Sequence, residues 1–221
     1  MGLVAVIDYG MSNLRSVAKA LDHVAGTKHR VRICSTTEDV GRADCIVFPG
    51  QGAIRDCMED LKRLGLDDAI REAISAKPFL GICLGLQSLM EYSEEGGGTQ
   101  GLGIFRGRVV RFPAGATDPA TGDRLKIPHM GWNQVTQTHT HPLWKDIEQG
   151  EPFYFVHSYL VTTDQAEIVA ATTTYGVEFA STVARDNVFA TQFHPEKSQR
   201  AGLRLLSNFL EWDGTGHRQG A

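Results

Sequence analysis

No stretch of this 221-residue sequence stays apolar long enough to cross a bilayer. Cysteines are few. There are four, none in C-x-x-C spacing, so neither a disulfide framework nor a zinc site is expected. Neither sign of charge prevails. A formal net charge of −4 gives no basic field for nucleic acid and no polybasic patch for a membrane surface. The opening Met1-Gly-Leu-Val-Ala-Val-Ile-Asp8 lacks a charged leader and reads as a first strand, not a signal peptide. Val6 stands where a myristoylation signal needs Ser or Thr. No internal repeat or low-complexity linker is present. These absences point to a reducing, cytoplasmic setting without metal or cofactor. What is present, 42% hydrophobic and 22% charged residues, suffices for one large globular domain or two small ones.

The stretch Lys77-Pro-Phe-Leu-Gly-Ile-Cys-Leu-Gly-Leu-Gln-Ser-Leu-Met90 organises the chain. Its first half reads as a buried strand ending at Ile82. Its second half, Leu84 to Tyr92, has helical spacing. Cys83 sits at the junction, with Gly81 and Gly85 two residues to either side. A strand turning sharply into a helix strains the turning residue and brings flanking backbone close, so small neighbours are required. That is the logic of the G-x-S-x-G nucleophile elbow, with a thiol for the hydroxyl. The sulfur would lie near a helix N-terminus, which favours a thiolate. The Leu84 N–H would face a developing oxyanion. Taken alone, the elbow leaves a buried structural cysteine open as the alternative, the reading given to Cys34, Cys45 and Cys57.

Taken in order, residues 3–8 form a strand and Ser12 or Asn13 caps a helix with Leu14, Val17, Ala18, Leu21 and Val24 on one face. Residues 30–34 and 44–50 are further strands. This alternation argues a parallel α/β sheet, whose ligands bind at the strands' carboxyl ends. Pro49-Gly-Gln-Gly-Ala53 lies at such an end, before a helix over 54–64. It lacks the length and the Lys of a Walker loop. An oxyanion-stabilising loop using Gln51 and Gly52 fits better, against an ordinary tight turn. Glu94 to Gly98 reads as a flexible loop, 104–112 as a strand and 113–124 as an exposed loop. Strands follow over 153–159, 167–171, 177–184 and 187–193. An amphipathic helix covers Lys197 to Trp212 with Leu203, Leu206, Phe209 and Leu210 inward. Residues 1–212 are taken as one domain, with a disordered tail over 213–221. The first half is thus α/β, and the second is rich in antiparallel strands.

A second cluster lies in Ala190-Thr-Gln-Phe-His-Pro-Glu-Lys197. On extended backbone His194 and Glu196, two apart, share a face, and Pro195 stiffens the segment. A thiol nucleophile needs a base, and the base an orienting carboxylate. Cys83, His194 and Glu196 would make a triad; a surface His-Pro-Glu turn is the alternative. His157 is a competing base beside Ser158 and Tyr159, which read as a substrate rim. His23, His29, His139, His141 and His217 read as solvated.

With Gly81-x-Cys-x-Gly85, Pro49-Gly-x-Gly52 and His194-Pro-Glu196 in this order, the chain resembles the class I (triad) glutamine amidotransferases over nearly its whole length. Asp8-Tyr-Gly-Met-Ser-Asn-Leu-Arg-Ser16, Pro128-His-Met-Gly-Trp-Asn133 and Phe155-Val-His-Ser-Tyr159 resemble one branch, the glutaminase subunits serving imidazole glycerol phosphate synthesis in histidine biosynthesis. The resemblance implies that Cys83 attacks glutamine, that Gln87, His157, Ser158 and Tyr159 bind it, and that no cofactor is used. It also implies a heterodimer with a separate (β/α)₈ cyclase that receives the ammonia and switches hydrolysis on. Asn13, Met130, Trp132 and Lys197 would lie toward that partner. Glutaminase subunits of other synthases, a free-standing Cys-His γ-glutamyl hydrolase and an inactive regulator on the same fold are the competing readings. The 128–133 block argues against the first and the intact triad against the last.

Overall fold

The computed structural model describes residues 1–11, 14–117 and 121–215. The opening third alternates β1 (Gly2–Ile7), α1 (Leu14–Ala25), β2 (His29–Cys34), α2 (Thr37–Arg42), β3 (Cys45–Gly50), α3 (Ile54–Leu64), α4 (Leu66–Ile74) and β4 (Phe79–Cys83). A short helix α5 (Leu84–Ser88) leads into β5 (Met90–Ser93), β6 (Thr99–Gln100) and β7 (Phe105–Arg111). The rest is β8 (His129–Gln134), β9 (Thr136–Gln137), β10 (Pro152–His157), β11 (Tyr159–Thr162), β12 (Val169–Tyr175), β13 (Val177–Arg185), β14 (Val188–Thr191) and α6 (Gln199–Glu211).

The expected α/β class is what the structure has. One sheet runs β2-β1-β3-β4-β14-β13-β11-β7-β5-β6, parallel through β14 and largely antiparallel beyond it. The antiparallel strands therefore extend the same sheet. Only β8 and β10 pair apart, as a two-stranded ribbon among the described residues. β3 and β4 are buried along their whole length, because helices cover both faces of a parallel sheet. Alternate side chains feed two cores. Val4, Val6, Leu80 and Ile82 pack toward α1 and α6, while Ala5, Ile7, Phe48 and Phe79 pack toward α3 and α4.

Several local expectations change. The helix after Cys83 is only five residues long, and Met90–Ser93 is strand: Met90 pairs with Phe105 and Tyr92 with Arg108 on β7. The sheet claims these residues over their helical spacing. Residues 94–98 are not a free loop. Glu95 accepts from the Ile54 N–H at 3.0 Å, and Arg55 donates to the Gly96 carbonyl. Helices α2 and α4 fill the connections on either side of β3 and α3. The first escapes notice because Val40 is its single buried residue; Thr36 caps it by accepting from the Asp39 N–H. In α6, Leu205 is fully buried and Leu203 only half-buried. His141 is buried, its ring packed against Phe189 and Trp212, with Trp144 packed edge-on in turn against Phe189. The Ser12 or Asn13 cap, His217 and most of the expected tail lie outside the described residues, although Trp212 donates to the Thr215 carbonyl at 2.5 Å.

Candidate active site

Cys83 ends β4 with φ 55° and ψ −106°, a backbone conformation that side chains other than glycine seldom adopt. The flanking glycines follow from packing. A Cβ on Gly85 would stand 1.9 Å from the Phe48 carbonyl oxygen, and one on Gly81 2.9 Å from the Ala190 Cβ. The elbow is therefore wedged between β3 and β14, and its residue types are dictated by contact. All four cysteines are free thiols. Burial pushes Cys45 up to about 12 and Cys57 up to about 11, so these thiols stay protonated.

His194 and Glu196 meet, by a different geometry from the one expected. β14 ends at Thr191, and Pro195–Lys197 is a 3₁₀ turn, not extended chain. The turn is pinned to β10: the His194 N–H donates to the Tyr154 carbonyl at 2.9 Å, and Ser198 Oγ accepts from the Tyr154 N–H at 3.0 Å. It folds Glu196 Oε1 onto His194 Nδ1 at 2.9 Å, with both side chains almost wholly buried. Burial by itself would lower the His194 pKa. The neighbouring Cys83 and the Glu196 carboxylate overcome burial and raise it to about 10. His194 is thus set toward its charged, imidazolium form beside the sulfur.

Cys83 and His194 lie on the wall of one cavity of about 350 Å³. Gln51, Gly52, Leu84, Gln87, His157, Ser158 and Tyr159, named above as oxyanion or substrate residues, line it too. The geometry defines two of them closely. The Gln87 amide donates to the Tyr159 carbonyl at 3.2 Å and to Gln192 Oε1 at 3.0 Å. Both of its hydrogens are used, which leaves Oε1 as its remaining polar atom. His157 Nδ1 lies 2.7 Å from the same Tyr159 carbonyl, which can only accept; Nδ1 therefore carries the proton. Its Nε2 accepts from His129 Nδ1 at 2.9 Å, and His129 Nε2 accepts from Asn133 at 3.2 Å. Burial pushes His157 down to about 3 and His129 down to about 4. His157 is thus a neutral wall of the cavity, ill suited to the role of competing base.

Gly52 takes φ +91° at the exposed tip of the 49–52 loop. Beneath the loop lies Tyr9, whose hydroxyl is pushed well above its ordinary range by burial and by Cys57. The Gln51 backbone N–H acts on it in the opposite direction. On the outer face, Met130 and Trp132 are exposed, two apart on β8. The Trp132 ring packs edge-on against Tyr154 at 6.1 Å, and the Lys197 ammonium lies 5.9 Å from the same Tyr154 ring. These three residues therefore form one surface strip. Asn13 lies outside the described residues.

Three participants were not singled out from sequence. Glu95 brings a carboxylate to the cavity wall, His129 backs His157, and Gln192 Nε2 lies 3.5 Å from Cys83 Sγ. Gln192 stands inside the quoted Thr-Gln-Phe-His-Pro-Glu block, so its position two residues before the base was the available signal. Among the described residues, no group of three or more His, Cys, Asp or Glu side chains could hold a metal ion, and no helix is long and apolar enough to cross a membrane.

The family described as glutamine amidotransferase class-I matches residues 5–212. The chain is 56% identical over 214 residues to the imidazole glycerol phosphate synthase subunit HisH of Nitrosococcus oceani, covering 97% of this chain and 99% of that one. It is 56% identical over 212 residues to the subunit of the same name from Aromatoleum aromaticum, covering 96% and 99%. Its fold is similar to two solved glutamine amidotransferases. One has a TM-score of 0.69 at 18% identity, covering 95% of this chain and 98% of that one. The other, from Thermotoga maritima, has a TM-score of 0.62 at 15% identity, covering 90% and 78%. A thiol elbow, a carboxylate-bonded imidazole beside it and these full-length likenesses agree: the chain belongs to the class I glutamine amidotransferase family, in the branch of the imidazole glycerol phosphate synthase HisH subunits.

Proposed function

We propose that residues 1–212 act as one glutaminase domain that hydrolyses glutamine through Cys83, His194 and Glu196 and passes the ammonia to a separate (β/α)₈ cyclase. The observation that carries this is the shared cavity: the strained thiol and the charged imidazole lie on one wall system, and Glu196 is bonded to the imidazole's far nitrogen.

In this reading Cys83 Sγ attacks the carboxamide carbon. The oxyanion is held by the Leu84 N–H and by the loop at Gln51 and Gly52. His194 gives its proton to the leaving nitrogen, ammonia departs and a thioester remains. His194, now neutral, takes a proton from water as the water attacks, and glutamate leaves with the thiol restored. Glu196 keeps the imidazole oriented and favours its charged form. Gln87, Ser158 and Tyr159 hold the amino-acid end of glutamine, and the Glu95 carboxylate complements its ammonium group. Neutral His157 borders the site without competing for the proton.

Ammonia is mostly protonated in water near neutral pH, so an interior route to the synthase protects it. The cyclase would combine it with a ribulosyl-formimino nucleotide, giving imidazole glycerol phosphate and an aminoimidazole carboxamide ribotide. The strip of Met130, Trp132 and Lys197, with Asn13, would face that subunit in a cytoplasmic heterodimer. In this reading the loop at Gln51 and Gly52 reorients before it serves the oxyanion, so that ligand on the cyclase switches hydrolysis on.

The test is glutamine hydrolysis by the purified chain, alone and with a cyclase plus its nucleotide ligand, beside Cys83→Ala. Low activity alone, strong stimulation in the complex and none in the variant is the expected result. Full activity alone would instead indicate a free-standing γ-glutamyl hydrolase. Activity surviving Cys83→Ala overturns the mechanism.

A further inference from the structure

The polar side chains behind the cavity form one connected chain. Its direction is set by a single backbone group, the Tyr159 carbonyl. A carbonyl only accepts, so the amide end of Gln87 that lies 3.2 Å from it must be the nitrogen. The second hydrogen of that nitrogen then goes to Gln192 Oε1 at 3.0 Å. With its oxygen so engaged, Gln192 has only its nitrogen to turn the other way, and that nitrogen lies 3.5 Å from Cys83 Sγ. On the other side of the same carbonyl, His157 donates to it and is in turn bonded by His129, which Asn133 holds. The Asn133 amide is itself fixed by the Thr174 carbonyl at 2.9 Å and the Gln134 N–H at 2.8 Å. Gln192 is completely buried, and its backbone N–H is tied to the Ser181 carbonyl. Its side chain is therefore held from both ends.

We propose that Gln192 is a catalytic residue alongside the triad, donating from Nε2–H to the Cys83 sulfur and so favouring the nucleophilic thiolate. Gln87 is its positioning residue, and the Tyr159 carbonyl sets the polarity of both amides. This rests on the reading of Cys83 as nucleophile. A hydrogen bond to a charged acceptor is stronger than one to a neutral acceptor, so the bond stabilises thiolate over thiol. The titratable groups around the sulfur are His194 with Glu196, Tyr9 across the 49–52 loop, and Glu95 and Tyr159 on the cavity wall. His157 lies across the cavity. Replacing Gln192 removes none of these groups.

The experiment measures the second-order rate of alkylation of the full-length chain by iodoacetamide as a function of pH, with mass spectrometry to locate the adduct. This readout is independent of glutamine turnover. In the unaltered protein a single fast adduct at Cys83 is expected. Gln192→Leu should react about tenfold more slowly at pH 7, with the deficit closing as pH rises and thiolate forms regardless. Gln192→Glu, of the same shape but bearing negative charge, should be slower still. Equal rates for Gln192→Leu and the unaltered chain overturn the inference, and so does a deficit constant across pH, which would mark altered access only. An unreactive Cys83 in the unaltered chain overturns this inference and the nucleophile reading together. Thermal unfolding checks each variant. If neither folds, the Gln192 side-chain NH₂ resonances of the unaltered protein are followed through alkylation. They must move when the sulfur is capped; if they stay still, the bond to sulfur is not there.

Discussion

His194 and His157 line the same cavity and are buried to nearly the same degree, 4% and 6% exposed. One nevertheless has its pKa raised to about 10 and the other has it lowered to about 3. Burial alone opposes charge on both. The difference lies in their partners. His194 has a carboxylate on one nitrogen and the Cys83 sulfur beyond the other. His157 has a carbonyl on one nitrogen and a second neutral ring on the other. A carbonyl satisfies a ring N–H without providing a counter-charge, so the His129–His157 pair is fully hydrogen-bonded and stays neutral. Two imidazoles a cavity apart thereby take different charge states, one positive and one neutral.

The largest effect should come from removing the counter-charge. Glu196→Gln would leave His194 bonded much as His157 is, and glutamine hydrolysis in the cyclase complex should fall by about a thousandfold or more. Nitrogen-detected NMR of the imidazole should show His194 losing its charge at a lower pH than in the unaltered protein. Retention of activity within a few fold would mean that burial and the thiol alone define the base.

Acid tests the neutral pair. Below about pH 6.5 the unfolded chain protonates His129 and His157, whereas the folded chain holds both neutral until about pH 4 and 3. The unfolded state then binds more protons, so stability falls as pH drops through that window. His194 works the other way: it is charged throughout when folded but only partly protonated near pH 6.5 to 7 when unfolded, so it adds some stability as pH drops until both states are charged. Each neutral ring removes roughly 1.4 kcal/mol per pH unit below about pH 6.5, about 4 kcal/mol for the two by pH 5; His194 returns about 1, so urea unfolding at pH 5 should show about 3 kcal/mol less stability than at pH 7. A flat profile over that interval would contradict neutrality of the pair.

The comparison sharpens if the missing charge is supplied. Asn133→Asp places a carboxylate beside His129 Nε2 and should raise the His129 pKa by about one unit or more, read from its ring shifts. The smallest effect is expected on the outer face. Trp132, 47% exposed and touching Tyr154 edge-on, should cost less than about 1 kcal/mol of folding stability when replaced by Ala, while affinity for the cyclase drops measurably.

What could be read from the residues divides along the same line. Backbone-dictated features were legible, because Gly81 and Gly85 around Cys83 and Gly52 in its loop are local demands of turning and close approach. β1 and β3 were legible because they are buried on both faces over most of their length and read as short apolar runs. Side-chain networks were not. Gln87, Gln192, His157 and His129 come from four separate elements, and nothing in the spacing of a glutamine announces which carbonyl it will meet. The strand Met90–Ser93 was lost to helical periodicity, since its partners β6 and β7, further along the chain, decide its state. His141 was read as solvated from polar neighbours, although the wall of aromatic rings around it is tertiary.

Strand β14 lies between β4 and β13, and among the described residues it is followed by the His194–Lys197 turn and α6. It delivers Gln192 and then His194 and Glu196 to a thiol laid down far earlier in the chain. During synthesis from the N-terminus, the thiol strand emerges from the ribosome long before the base exists. A growing or prematurely ended chain therefore has a sulfur without its imidazole, carboxylate or amide. On the proposed mechanism such a chain cannot hydrolyse glutamine, and that capacity arrives only once β14 and the turn after it have been made.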